Sequence, residues 1–172
     1  AQESRELHEH DPALSLVQWA AEPADGQVYA PLVIGKPPGD APPRHVLMLQ
    51  GIVDNYIRPP IALAESVPLG LDLAGAALDA QHPELRDETH LMDVLPRVGR
   101  RQINLPVTGN LTLAGRQTTA VVVQHPQDPY EDGHEVVFQT EAPKHQYRCF
   151  LLSALRGTPL VPVAAAANAP CP

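Results

Sequence analysis

The chain has 172 residues, a formal charge of −8, 20 prolines and few aromatic residues. That length supports one domain with a real core. The acidic balance argues against nucleic acid or an anionic membrane surface as the main partner, and no run of 18 apolar residues is present to span a bilayer.

Residues 1–10, "AQESRELHEH", are charged and read as a peripheral segment. They lack the basic stretch and apolar run of a signal peptide, so the expectation is that a leader was removed or that the chain begins inside a longer one. In "DPALSLVQWAAEP", Asp11 can cap a helix, Pro12 suits its first turn and Pro23 stops it. Leu14, Val17, Ala20 and Ala21 share one face of that helix. "ADGQVYAPLVI" can add a short second helix. A proline-rich connector over 35–44 leads into "HVLMLQ", whose unbroken apolar run suits a strand covered on both faces, as in a parallel sheet.

Pro59 and Pro60 open another helical segment, "PPIALAESVPLGLDLAG", which Pro68 and Gly70 break early. Residues 80–102 have no clear period. "INLPVTGNLTLAGRQTTAVVVQH" looks extended, with Asn110 or Ala114–Gly115 as turns and a strong β-branched strand at its end. A polar loop then reaches His134. "TEAPKHQYRCFLLSALRG" predicts a helix capped by Thr140 and ended by Gly157, with Tyr147, Phe150, Leu151 and Ala154 as its buried stripe. Residues 158–172 form a tail. No repeat or linker divides residues 1–172, and the order helix, strand, helix, strand, helix is an α/β pattern.

Cys149 lies in the last helical pattern and Cys171 lies in the tail. A bridge between them would tie the tail to the helix and be worth roughly 3 kcal/mol by loop closure. The alternative is two unrelated thiols. The bridge is the stronger expectation and points to a secreted, periplasmic or cell-envelope protein.

Asp54 and His134 each follow a strong strand, where an open parallel sheet places reactive groups. A carboxylate on one ring nitrogen fixes a histidine's tautomer, which leaves the other nitrogen to take a proton from a serine. Taken singly, such an Asp is often only a turn or cap residue and such a Gly-His only a loop. Taken as an ordered pair, "VLMLQGIVDNYIRPP" resembles the acid-loop segment of the α/β-hydrolase superfamily, and "DGHEVVF" resembles the segment that carries its catalytic histidine. The likeness covers roughly residues 11–160, as the C-terminal portion of that fold. It implies Asp54 as the orienting acid and His134 as the general base and acid, with no cofactor.

The family's nucleophile sits in Gly-x-Ser-x-Gly. None of the four serines, Ser4, Ser15, Ser66 and Ser153, has glycines two positions to either side. Cys149 lies in a helical pattern and cannot serve in a sharp turn. The expectation is therefore a second chain, cleaved from the same precursor or separate, that carries the serine and completes the sheet. Two strands with buried parallel character would otherwise leave open edges and uncovered apolar faces. Carboxylic ester hydrolysis is the leading activity. An amidase or peptidase with the same triad, and a non-catalytic binding or structural subunit, are the alternatives.

Other candidates are weaker. His8, His10 and Asp11 could ligate a metal, but no third ligand group follows at a diagnostic spacing. Asn110-Leu111-Thr112 fits a glycosylation sequon, a tripeptide that arises often by chance. Trp19 and Tyr56 read as packing residues, although Tyr56, two positions past the acid, can line a substrate pocket.

Overall fold

A computed structural model describes His8, residues 11–127, Pro129 and residues 132–172. Two helices come first, α1 (Pro12–Ala21) and α2 (Gly26–Tyr29). Strand β1 (Val46–Ile52) leads to α3 (Pro59–Leu69) and the short β2 (Asp72–Ala74). Helix α4 (Leu91–Val94) precedes four short strands: β3 (Gln102–Ile103), β4 (Val107–Thr108), β5 (Leu111–Leu113) and β6 (Arg116–Thr118). The chain closes with β7 (Ala120–Pro126), α5 (Val136–Gln139), α6 (Glu141–Ala154) and β8 (Leu160–Val161).

The main sheet has the order β1-β7-β2-β3, and every pair in it is parallel. β1 and β7 match residue for residue from Val46 opposite Ala120 to Ile52 opposite Pro126. The apolar run of β7 reflects its two covered faces. Val122 packs with Ile34, Leu63, Leu73 and Leu91 on one side, while Val121 and Val123 pack with Val107 and Val161 on the other. Helices flank this sheet, so the α/β expectation holds at that level.

Two antiparallel pairs complete the fold. β4 joins β8, and β5 joins β6. Ala114 and Gly115 form the β5–β6 turn with φ of +49° and +74°, the positive pair a two-residue hairpin needs.

Several expectations are corrected. Gly70, at φ +73°, ends α3 as expected, but Pro68 lies inside the helix and does not break it, and Asp72–Ala74 form a fully buried inner strand. Asp72 hides that strand from a pattern reading. Its carboxylate accepts the Arg101 N–H and the Asn110 side-chain amide, which meets the cost of burying a polar group there. The buried face of α6 lies partly elsewhere: of the expected stripe only Phe150 packs against the core. Pro143, His145, Gln146 and Cys149 are buried, whereas Leu151 is 60% exposed and Tyr147 and Ala154 are also exposed. The helix rotates because Gln146 donates to the Pro162 carbonyl and Cys149 is bonded to Cys171. Thr140 stands at the N-cap of α6, but its hydroxyl donates to the Val136 carbonyl instead. Trp19 is not a packing residue. It is 70% exposed on a helix that has no buried side chain.

The disulfide forms as expected between Cys149 and Cys171. The tail it anchors is not wholly irregular, because it contains β8. No described helix is long and apolar enough to cross a membrane.

Candidate active site

β1 and β7 are neighbours and run parallel, so their carboxyl ends open on the same side of the sheet. The chain turns after β1 to present Asp54 and after β7 to present His134. Asp54 Oδ2 lies 3.1 Å from His134 Nδ1, across eighty residues of sequence. Asp54 Oδ1 accepts the backbone N–H groups of Tyr56 and Ile57, each at 2.8 Å. One carboxylate thus performs both tasks considered for it. One oxygen caps the turn leading to α3, and the other orients the imidazole.

The two loops are fastened to each other by main chain. Gly133 N–H donates to the Val53 carbonyl at 2.6 Å. Asp132 Oδ1 accepts from the N–H of His134 at 3.0 Å and from that of Asn55 at 3.3 Å. Gly51 and Gly133 meet backbone to backbone. A Cβ on Gly133 would lie 2.6 Å from the Gly51 carbonyl carbon and 2.7 Å from Asp54 N. Only glycine allows that approach.

The hydrogen bond to Asp54 is the main influence on His134 and raises its pKa. Desolvation opposes that rise, while the charges of Asp54, Glu135 and Asp132 add to it. The Asp54 side chain is 13% exposed and that of His134 is 34% exposed. With Asp54 ionised, Nδ1 carries the hydrogen and Nε2 presents a lone pair. Nε2 has no hydrogen-bond partner among the described residues. Such a pair can remove a proton from a hydroxyl and return it to a leaving group.

Tyr56 lies against the imidazole, with ring centroids 4.7 Å apart and planes tilted by 41°. It is 74% exposed, so it is a ring at the rim of the site and not a packing residue. A small cavity of about 130 Å3 adjoins the pair, lined by Met48, Gln50, Ile57 and Ala62 among others. A larger hollow of about 750 Å3 lies among α1, α2 and α3, and neither Asp54 nor His134 lines it.

The described serines stand apart from the imidazole. Ser15 lies in α1, Ser66 donates to the Ala62 carbonyl within α3, and Ser153 donates to the Cys149 carbonyl within α6. Ser4 lies outside the described residues. Of the possible metal ligands, His10 is likewise outside them, and Asp11 caps α1 by accepting the Ala13 N–H. The Asn110 amide nitrogen, the atom a glycan would take, donates to Asp72 and to the Ala120 carbonyl.

Comparison of the chain with family models, with curated proteins and with solved structures gives no match. Asp54, His134 and Tyr56, singled out in the sequence, lie together, whereas the staple made by Asp132 and the contact between Gly51 and Gly133 went unnoticed there. The signal was present in the words "QGIVD" and "EDGHE", where a glycine stands three residues before the acid and another directly before the histidine.

Proposed function

We propose that this chain is the acid- and histidine-bearing part of a serine hydrolase that cleaves carboxylic esters, of the α/β-hydrolase type. The observation that carries the reading is the 3.1 Å contact between Asp54 and His134 at the carboxyl ends of two adjacent parallel strands. A serine that residues 11–172 do not supply attacks the ester carbonyl. His134 Nε2 takes its proton as the C–O bond forms and returns it to the departing alcohol. Asp54 holds the ring in place and stabilises the imidazolium. Water then releases the acyl group by the same route. The disulfide supports folding in an oxidising compartment.

The test uses the assembly isolated from its native source, with a fluorophosphonate probe and a p-nitrophenyl ester. The expected result is a labelled serine outside residues 11–172. His134→Ala should abolish turnover while leaving the circular dichroism spectrum unchanged. Ester turnover that survives this substitution removes the assignment.

A further inference from the structure

Gln50 carries a hydrogen-bond donor that the fold fixes in place and does not use. It lies in β1 opposite Gln124 of β7, and both side chains are buried. Gln124 Oε1 accepts the backbone N–H of Leu78 at 2.7 Å and that of Asp79 at 3.1 Å. Two main-chain donors settle which end of that amide is oxygen, so its nitrogen must face an acceptor. The acceptor is Gln50 Oε1, at 3.1 Å. Turning the Gln50 amide over would set nitrogen against nitrogen. The relay leaves Gln50 Nε2 buried and without a hydrogen-bond partner among the described residues. An unmet donor in such a place is costly, so a ligand that meets it is favoured.

Gln50 also lines the small cavity beside His134. Among the described residues, three polar side chains surround that cavity: Gln50, Asp54 and His134. The others are glycines or apolar groups such as Met48, Ile57 and Val136. Gln50 is 5% exposed and sits within the sheet, two residues before β1 ends at Ile52. Asp54 and His134 stand beyond the strand ends. Two residues of strand span about 7 Å. A group held by Gln50 is therefore set back from the carbon that His134 serves.

We propose that Gln50 is a substrate-binding residue that donates its Nε2–H to a neutral carbonyl oxygen carried on the acyl chain, apart from the ester carbonyl beside His134. The substrate class rests on the hydrolase reading, whereas the carbonyl-binding cavity does not. The free donor calls for an acceptor. A carboxylate is disfavoured, because no lysine or arginine lines the cavity and Asp54 is itself an acid. A hydroxyl would bring a hydrogen of its own, and the side-chain oxygens there are already engaged. Gln50 Oε1 accepts from Gln124, and the Asp54 oxygens serve Tyr56, Ile57 and His134. A carbonyl needs only the donor. The preferred substrates are esters of short oxoacyl groups.

The experiment has two arms, both on the protein isolated from its native source. In the first, isotope-labelled protein is titrated with methyl propyl ketone and followed by NMR. The Gln50 side-chain amide protons should move downfield in step with the Met48 and Ile57 methyl groups. Movement of the methyl groups without the Gln50 amide, or of neither, refutes the site. In the second arm, kcat and KM are measured for p-nitrophenyl levulinate, which carries the second carbonyl, and for p-nitrophenyl valerate, which does not. The wild type should show the lower KM for levulinate. Gln50→Met should raise that KM about tenfold, the worth of one neutral hydrogen bond, and leave kcat and the valerate KM near their wild-type values. An equal loss on both esters, or no change on either, refutes the acyl-chain contact while the hydrolase reading stands. Turnover of neither ester by the wild type, with the Gln50 amide shifted by the ketone, removes the hydrolase reading and leaves the carbonyl site. The ketone titration decides the contact even where Gln50→Met unfolds.

Discussion

Gly51 and Gly133 touch backbone to backbone, and this contact sets the distance between the two strand-end loops. A methyl group on Gly133 would sit 2.7 Å from both the Val53 carbonyl carbon and Asp54 N, atoms that cannot rotate away. Gly133→Ala should therefore push the His134 loop off the Asp54 loop. The expected cost is about 1–3 kcal/mol, as for other overpacked sites, with loss of the Asp54–His134 hydrogen bond. Thermal unfolding reads the first, and the His134 titration by NMR reads the second. A variant with unchanged melting and an unchanged titration would show that the loops do not depend on this contact.

Asp54→Asn tests the orienting role separately. The hydrogen bond to Asp54 is the leading cause of the raised His134 pKa. Its loss should move the NMR titration midpoint down towards the ordinary histidine value near 6.5. The sign for activity follows. A base must be neutral, so the acidic limb of kcat/KM should shift to lower pH in the variant while its plateau falls on the order of 10⁴-fold. The turn can persist, because an asparagine oxygen can still accept from Tyr56 and Ile57. An unmoved midpoint would remove Asp54 from the proposed role.

Much of the sheet is legible in the sequence. The runs at 46–52 and 120–126 announce strands covered on both faces because each carries apolar side chains on successive residues. Asp54 and His134 stand out because each follows such a run. What escaped notice depends on partners distant in sequence. Asp72 reads as a helix residue until Arg101 and Asn110 satisfy it. The rotation of α6 is set by Pro162 and Cys171, which no helical period encodes. Trp19 and Tyr56 read as core from residue type alone, and only tertiary context puts them on the surface.

Removing the disulfide should loosen the tail and spare the site. The bridge closes a loop of 22 residues, which chain entropy values at about 3 kcal/mol. Paired Cys149→Ala and Cys171→Ala substitution should lower stability by about that amount. Exchange protection should fall first in the β4–β8 pair, since β8 lies between the two cysteines. The Asp54–His134 pair belongs to other strands, so its titration should stay as it was. A collapse of that titration would mean that the tail supports the site directly.

Acid should weaken the fold through His125. It lies in β7, is 4% exposed, and its Nε2 has no hydrogen-bond partner among the described residues. Burial lowers its pKa to about 4, and the Gln146 amide, too poorly placed for a full hydrogen bond, offsets only part of that shift. The folded protein therefore keeps this ring neutral at pH values where the unfolded chain protonates it. Between pH 6.5 and about 4 the unfolded state binds more protons, so stability falls as pH falls across that window. The full effect is about 3 kcal/mol. His134 contributes with the opposite sign, because its stabilisation is present below pH 6.5 and is lost as pH rises through its raised pKa. Urea unfolding across pH 4 to 7 should show the loss, and His125→Asn should flatten the slope. An equally steep slope in that variant would assign the acid sensitivity to other groups.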